Sequence, residues 1–472
     1  MSRDVFERYE LPARWRWEKL GDICDIADRD HRTPTYEEDG VPLISPRDFT
    51  EDGIDLTSLK RVARYELDAF RKKCKPAKGD ILYSRIGTVG EARLVDFDLE
   101  FVALHSIAMV KPKTPGLLSK YVLYLLKTPS VRNQAKHNIK SVGTPDLGLQ
   151  RIRDFSVPVA PIDQQSSIVA EIEKQFSHLD KAVAGLQRVK ANFKRYRAAV
   201  LKAAVEGHLV QTEADFARRD GRDYETGAQL LQRILDTRRK QWQGKGKYKE
   251  PAAPDTTDLP ELPEGWVWAT TEQLGYVQLG RQRSPKNRSK NFPVQYLRAA
   301  NITESGLDLS DLLDMEFSLV EQDRYRLKGG DLVLSEASGS PSQVGKPAIW
   351  KDQLPLCCFQ NTVLRLRPTL LETSQYVLVV FQSCYANGVF AKVAGGVGIN
   401  HLSSEKFSRM PVALPPRAEQ HRIVAEVDRL LSIAREAEAE VETNLKRAQA
   451  LCQSILSKAF ASGPVRESTE AI

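Results

Sequence analysis

Two long stretches of the chain place apolar residues at alternating steps of three and four. In the stretch 163–207, which contains no proline, they are Ile168, Ile172, Phe176, Leu179, Val183, Leu186, Val189, Phe193, Tyr196 and Val200. In the stretch 417–462, which ends before Pro464, they are Ile423, Val427, Leu430, Ala434, Ala437, Val441, Leu445, Ala448, Cys452, Ile455 and Ala459. This spacing predicts two α-helices with a coiled-coil seam, each about 60 Å long.

An apolar stripe of this length needs a partner surface. The two helices could pair with each other, and an antiparallel pair would put the globular segment before each helix at opposite ends. Alternatively, each helix could lie on its own globular segment. Pairing is favoured because about 60 Å exceeds the width of a domain of roughly 150 residues.

The chain contains an internal duplication, in which the same series of motifs occurs twice at a nearly constant offset of about 250 residues. A Leu-Pro-x-x-Trp-x-Trp motif occurs at 11–17 and 262–268, and a Gly-Asp-aliphatic-aliphatic motif at 79–82 and 330–333. Segments 161–171 and 416–426 share Pro-x-x-x-Gln-x-x-Ile-Val-Ala-Glu. The segments between these matches differ, so the repeated framework carries two different sets of loops.

The patterns divide the chain into six parts. Globular segments cover 1–158 and 262–414, and long helices cover 159–210 and 415–463. A polar connector at 211–261 holds one short helix at about 227–242, and a tail covers 464–472. The globular segments mix strand-like runs such as 80–83 with helical runs such as 374–385. The predicted fold class is α+β: two similar mixed α/β domains separated by an antiparallel pair of long coiled-coil helices.

Composition and motifs argue against catalysis by this chain. Lys and Arg total 69 against 62 Asp and Glu, a net charge of +7 that permits nucleic-acid binding without requiring it. The six cysteines lack zinc-ligand spacing, and the loop at 339–347 departs from a phosphate-binding loop in its glycine spacing and at Pro347. No stretch approaches the ~20 apolar residues of a membrane span. We therefore expect a soluble, cytoplasmic, non-catalytic protein with no metal or cofactor of its own and no membrane partner.

Polar and basic residues in the divergent loops have the chemistry that reads DNA, because Arg, Lys, Asn, Gln and Thr bond to base edges and phosphates. Any one basic loop is more often a solvated surface, but here the loops lie where two similar halves diverge. The candidates in the first half are Arg29, His31, Arg32, Arg47, Arg85, Lys140 and Thr144. The candidates in the second half are Arg281, Gln282, Arg283, Lys286, Arg288, Lys290, Arg298, Asn301, Gln343 and Asn400.

The end of the first long helix is strongly basic. Its residues 187–202 contain no acidic side chain and carry Arg188, Lys190, Lys194, Arg195, Arg197 and Lys202. This face could lie along DNA or against an acidic partner subunit, and exposed coiled-coil positions are also often basic without either role.

The order of domain, long helix, domain, long helix resembles the DNA-specificity subunit of type I restriction-modification enzymes. The resemblance rests on the repeated motifs above and on connector segments 225–235 and 248–251, and it covers nearly the whole chain. One departure is Gln164, where the family usually has an acidic residue before the final glutamine of the helix-opening motif. Glu419 keeps the acidic residue in the second half.

The resemblance implies that each globular half is a target-recognition domain that reads one half of a bipartite, asymmetric site in double-stranded DNA. The helices would set the spacer and dock two methyltransferase subunits, which bring S-adenosylmethionine. Restriction and translocase subunits, which use ATP and Mg, would join through them. A coiled-coil protein-interaction scaffold without DNA binding is the alternative. A free-standing DNA-modifying enzyme is disfavoured by the missing motifs.

Overall fold

The computed structural model describes residues 9–51, 53–139, 143–244, 246–282, 293–395 and 400–462. These fall into two compact units. The first contains the described residues up to Gln187 and from Glu442 onward, and the second is Arg188–Val441. The boundaries fall inside the long helices rather than at the proline-containing joints, so each unit includes a part of both helices.

The first unit begins with short strands and helices and leads into the first long helix. In chain order these elements are β1 Arg16–Lys19, α1 Leu20–Ile23, β2 Cys24–Ala27, β3 Tyr36–Ile44, β4 Lys60–Val62, α2 Leu67–Arg71, β5 Ile81–Ser84, β6 Ala92–Leu94, β7 Val102–Ala103, β8 Ile107–Pro112, α3 Ser119–Leu126, α4 Pro129–Asn138, α5 Leu149–Arg153, β9 Ser156–Val159 and α6 Ile162–Val205.

The second unit starts within α6 and continues through the connector. Its elements are α7 Glu213–Asp220, α8 Gly227–Lys240, β10 Val267–Thr270, α9 Thr271–Leu274, β11 Gly275–Leu279, β12 Pro293–Leu297, β13 Ile302–Thr303, β14 Gly306–Leu307, β15 Leu313–Glu316, α10 Leu319–Tyr325, β16 Leu332–Ser335, β17 Ala337–Ser338, β18 Pro347–Ile349, β19 Cys358–Phe359, β20 Val363–Pro368, α11 Ser374–Ala386, α12 Val389–Val393, β21 Asn400–His401, α13 Ser404–Ser408, β22 Pro411–Leu414 and α14 Arg417–Ser462.

The sheets of the two units repeat the same strand order. The first unit has sheets β2-β8-β5-β6, β4-β3-β7 and β1-β9, and the second has β11-β20-β16-β18, β15-β12-β19 and β10-β22. The register repeats as well, since Ile44 pairs with Ala103 where Leu297 pairs with Phe359. The second unit has the short ladders β13-β14 and β17-β21, where the first unit has the single bridges Phe49–Ile54 and Ile86–Asp146. The duplicated motifs therefore correspond to a duplicated fold.

The central strands β5 and β16 are buried at every position. They read as continuous apolar runs because helices and the second sheet cover them on both sides. The Tyr121 hydroxyl donates to the Pro158 carbonyl at 3.0 Å, and the Tyr376 hydroxyl donates to the Ala413 carbonyl at 2.7 Å. These two bonds tie the covering helices α3 and α11 to the strands that lead into α6 and α14.

The two long helices lie side by side in opposite directions within each unit. In the first unit, Ile168 and Ile172 near the start of α6 share a core with Leu456 and Phe460 near the end of α14. In the second unit, residues at the end of α6, including Ala204, share a core with Ile423 and Val427 near the start of α14. The antiparallel pairing predicted from the apolar stripes is thereby confirmed.

The connector packs against the end of α6. Leu230 and Ile234 of α8 are fully buried in the same core as Val200 and Leu201 of α6. The helix predicted at about 227–242 is present as Gly227–Lys240. A second connector helix, α7, was not predicted, and it begins with a cap in which the Thr212 side chain accepts from the Asp215 backbone N–H.

Candidate nucleic-acid interface

Loops from four parts of the first unit meet at one edge of its sheets. The Arg85 backbone N–H donates to the Ser106 carbonyl at 2.8 Å, and the Leu147 N–H donates to the Arg85 carbonyl at 2.8 Å. The Leu104 N–H donates to the Ile44 carbonyl at 2.8 Å. These bonds join the loops after β3, β5 and β7 to the loop before α5, and side chains from the loop after β2 complete the edge.

Arg85 is the centre of this edge, and its side chain is almost fully buried. Its Nη2 lies 2.9 Å from the Asp28 carboxylate, and its Nη1 donates to Asp146 Oδ1 at 2.8 Å. Its Nη2 also lies 3.2 Å from His31 Nε2. Because these partners occupy its N–H groups, Arg85 organises the edge from beneath instead of facing solvent.

A pair of histidine rings lies on the outer side of Arg85. The centroids of His31 and His105 are 5.0 Å apart. Burial lowers the pKa of His105, and the neighbouring His31 and arginine side chains lower it further. The neutral imidazole of His105 is therefore favoured beneath the exposed ring of His31.

Arg29 is also buried, with 2% of its surface exposed. Its guanidinium stacks over the Phe70 ring at 4.3 Å, and its Nη1 donates to the Arg32 carbonyl at 3.1 Å. Burial lowers its pKa. Arg29 thus supports the loop that carries His31 and Arg32, and it reaches a ligand only if these contacts break.

The remaining first-half candidates are at the surface. His31, Arg32, Arg47 and Thr144 are exposed, and Arg47 lies in the turn that follows β3. Lys140 lies outside the described residues.

The second unit repeats the same backbone junction. The Glu336 N–H donates to the Thr362 carbonyl at 2.8 Å, and the Leu402 N–H donates to the Glu336 carbonyl at 2.9 Å. The Gln360 N–H donates to the Leu297 carbonyl at 2.9 Å, as the Leu104 N–H does to the Ile44 carbonyl. Glu336 therefore occupies the place that Arg85 has in the first unit.

Arg281 of the second unit has a position comparable to that of Arg29. It is 7% exposed, its Nε donates to Glu321 Oε1 at 2.6 Å, and its guanidinium stacks over Phe317 at 5.1 Å. Asn301 is buried too, where its amide donates to the carbonyls of Asp308 and Asp311 at 3.1 Å each.

The other second-half candidates differ in exposure. Gln282 and Gln343 are exposed, whereas Asn400 and Arg298 are half-buried. Arg298 bonds to Asp311 at 2.6 Å. Asn400 pairs with Ser338 in the ladder β17-β21. The second half is longer than the first here, since its segment 330–344 corresponds to 79–89. Arg283, Lys286, Arg288 and Lys290 lie outside the described residues.

The sequence candidates did not include the acidic side chains at this edge or two of its histidines, His105 and His401. Asp28 and Asp146 hold Arg85, and Glu336 lies 3.0 Å from His401 Nδ1. An alignment of the two halves of the sequence could have pointed to these residues. It places Arg85 and Glu336, which have opposite charges, directly after the matching strands β5 and β16.

The basic stretch of α6 is largely exposed in the second unit. Arg188, Lys194 and Arg195 are exposed, and Arg197 forms an ion pair with Glu438 of α14. Lys202 lies 3.8 Å from Glu206. The Arg197–Glu438 ion pair thus contributes to pairing of the two helices.

Among the described residues, no group of three or more His, Cys, Asp or Glu side chains is arranged to hold a metal ion. Within the same residues, no helix is both long and apolar enough to cross a membrane. The thiols of the six cysteines are free, and burial raises the pKa of Cys24 to about 12.

The two units thus share one framework and carry unlike polar loops at the same edge. The family model "Type I restriction modification DNA specificity domain" matches residues 12–183 and 263–447. The chain therefore belongs to this family of non-catalytic subunits that recognise DNA sequence in type I restriction-modification complexes.

Relatives and a solved structure agree with this assignment. The chain is 23% identical to the type I restriction enzyme EcoKI specificity subunit of Escherichia coli K12, over 90% of this chain and 82% of that protein. It is 22% identical to the StySPI specificity subunit of Salmonella potsdam, over 96% of this chain and 90% of that protein. A chain from "Structural basis underlying complex assembly and conformational transition of the type I R-M system" shares the fold, with a TM-score of 0.64 and 16% identity over 96% of this chain and 100% of that one.

Proposed function

We propose that each unit reads one half of a bipartite, asymmetric site in double-stranded DNA. The observation that carries this proposal is the repeated edge, where the same backbone junction surrounds Arg85 in one unit and Glu336 in the other. The two units share a framework but carry different loops, so each reads a different DNA sequence. The exposed residues at these edges supply the contacts: His31, Arg32, Arg47, Thr144, Gln282 and Gln343.

The buried candidates have a different part in this proposal. Arg29, Arg85, Arg281 and Asn301 hold the loops in place, because each donates at least one hydrogen bond to a neighbouring backbone or side-chain group. Rigid support of this kind fixes the geometry of the groups that reach the bases.

The paired helices α6 and α14 set the spacer between the half-sites and dock two methyltransferase subunits. Their exposed apolar side chains support docking, since Tyr196 is 44% exposed and Ile433 is 53% exposed. S-adenosylmethionine would bind to these partners, while ATP and Mg would serve restriction and translocase subunits. We place this complex in the cytoplasm, with the DNA that it reads.

Methylation mapping tests the proposal directly. The chain is co-expressed with a type I methyltransferase subunit that co-purifies with it, and methylated positions in host DNA are mapped by sequencing. We expect one two-part motif that is absent when this chain is omitted. A motif without two parts, or methylation that persists without the chain, contradicts the proposal.

A domain exchange tests whether the halves act separately. Replacing residues 262–414 with the matching segment of another specificity subunit is expected to change one half of the motif and leave the other half unchanged. A change in both halves would show that the two units do not read DNA independently.

A further inference from the structure

The pairs Arg85–Asp146 and Glu336–His401 occupy the same place in the two units. The Leu147 N–H donates to the Arg85 carbonyl at 2.8 Å, and the Leu402 N–H donates to the Glu336 carbonyl at 2.9 Å. In each pair, one residue directly follows a central strand, β5 or β16. The other directly precedes the matching leucine, Leu147 or Leu402.

The charges of the two pairs are reversed. In the first unit the inner residue is a cation, and the Arg85 side chain is 5% exposed while that of Asp146 is 51% exposed. In the second unit the inner residue is the Glu336 carboxylate, 13% exposed, and the outer residue is His401, 51% exposed. A buried partner thus holds a half-exposed polar group in both units.

The outer group offers a hydrogen-bond acceptor in both cases. Arg85 donates to Oδ1 of Asp146, and no hydrogen bond to Oδ2 occurs among the described residues. His401 directs Nδ1 to the Glu336 carboxylate at 3.0 Å, so Nδ1 carries the proton and donates. In the neutral ring this leaves Nε2 as an acceptor, because the bond made by one nitrogen fixes the tautomer.

We propose that Asp146 and His401 are specificity-determining residues, each accepting a hydrogen bond from an exocyclic amino group of a base in its half-site. This inference rests on the proposed function, since it requires that the edges face DNA. The amino groups of cytosine and adenine in the major groove are the donors that such acceptors recognise. The acceptor role of His401 belongs to the neutral ring, because an imidazolium donates from both nitrogens.

Two substitutions convert each acceptor into a donor and keep its inner partner. Asp146→Asn retains an oxygen for Arg85 and places an NH2 group at the outer position. His401→Arg retains an ion pair with Glu336 and offers only N–H donors. The matched controls are Asp22→Asn, an exposed residue of α1 at the other end of β2, and His208→Arg, an exposed residue between α6 and α7 that lies 3.9 Å from Glu206.

The complex with its methyltransferase subunits is assayed for methylation of duplexes that carry every single-base change of the mapped motif. We expect Asp146→Asn to alter the preference at one position of one half-site by about tenfold, away from cytosine or adenine. We expect His401→Arg to alter one position of the other half-site in the same way. Both controls should leave the motif unchanged.

An unchanged motif in both variants overturns the inference while the proposed function stands. A uniform loss of methylation on all duplexes also overturns it, because that result is expected of pairs that only tether the loops. Asp146→Glu, which keeps an acceptor and its charge, guards against misfolding: it should retain the preferred base class. The proposed function itself fails if the wild-type complex shows no two-part motif or if methylation persists without this chain.

Discussion

Trp266 donates its indole N–H to the Glu419 carboxylate at 2.9 Å. The other carboxylate oxygen accepts the backbone N–H of Glu213 at 2.8 Å, so Glu419 joins the start of α14 to the connector helix α7. Burial raises the pKa of Glu419. In the first unit Trp15 donates to Gln164 at 2.9 Å, and no second donor meets the Gln164 side chain among the described residues. An amide suffices there, which accounts for the departure from the family pattern.

Glu419→Ala is expected to lower the free energy of unfolding by about 3 kcal/mol, because it leaves two buried N–H groups without an acceptor. The matched change Gln164→Ala removes one partly exposed bond and is expected to cost about 1 kcal/mol. Urea unfolding followed by circular dichroism measures both. Equal losses in the two variants would contradict the different roles of these positions.

The stability contributed by Glu321 should depend on pH. Burial opposes ionisation of Glu321, but hydrogen bonds from Ser318 and Arg281 lower its pKa below the ordinary 4.5. The group therefore stabilises the folded state above pH 4.5, and this contribution is lost as the pH falls through the folded-state pKa.

Glu321→Gln should accordingly cost about 1 kcal/mol near neutral pH and less in acid, when both proteins are unfolded in urea at each pH. The control Glu405→Gln changes a carboxylate that is 73% exposed and pairs only with the neighbouring Arg409, and it should show little pH-dependent difference. If Glu321→Gln destabilised the protein more in acid than near neutral pH, the predicted direction of the pH dependence would be wrong.

Two glycine substitutions should have opposite effects on stability. A Cβ at Gly185, inside α6, meets nothing within 4 Å, so Gly185→Ala is expected to stabilise the chain by about 1 kcal/mol. A Cβ at Gly227 would lie 2.2 Å from the Leu414 carbonyl oxygen, so Gly227→Ala must displace α8 and is expected to cost about 2 kcal/mol. Thermal unfolding checks both, and a loss with Gly185→Ala would mean that α6 needs its glycine for packing.

The long-range organisation could be predicted from the sequence because it repeats. The apolar spacing predicted both long helices, and α6 at Ile162–Val205 and α14 at Arg417–Ser462 lie inside the segments 159–210 and 415–463. The seam prediction was less accurate at Val189 and Tyr196, each 44% exposed, because helical spacing shows which residues share a face but not whether a partner covers it. Helix α7 has a short apolar pattern, and its position depends on the distant Glu419.

The candidate interface could be predicted only in part. Composition drew attention to the divergent loops, and His31, Arg32, Arg47 and Gln343 are exposed there. Composition could not distinguish these exposed residues from the buried arginines, because the sequence does not show whether an arginine stacks on an aromatic ring or faces solvent. Asp146, which accepts a hydrogen bond from Arg85, is 61 residues away in sequence, so their contact depends on the fold.

Exposed and buried arginines should therefore respond differently to substitution. The double variant Arg32→Ala with Arg47→Ala removes two exposed cations near the proposed DNA contact and should barely change the free energy of unfolding. Each lost phosphate contact should reduce the slope of log K against log salt concentration by about 0.9.

Arg29→Ala should behave in the opposite way. It removes the guanidinium that stacks on Phe70 at 4.3 Å and bonds to the Arg32 carbonyl, so it is expected to cost about 2 kcal/mol in folding. The salt slope should stay at the wild-type value, because a buried side chain displaces no counterion from DNA. Fluorescence anisotropy of a labelled duplex with the assembled complex, at several salt concentrations, measures the slope. A reduced slope for Arg29→Ala with unchanged stability would show that Arg29 leaves its pocket to bind phosphate.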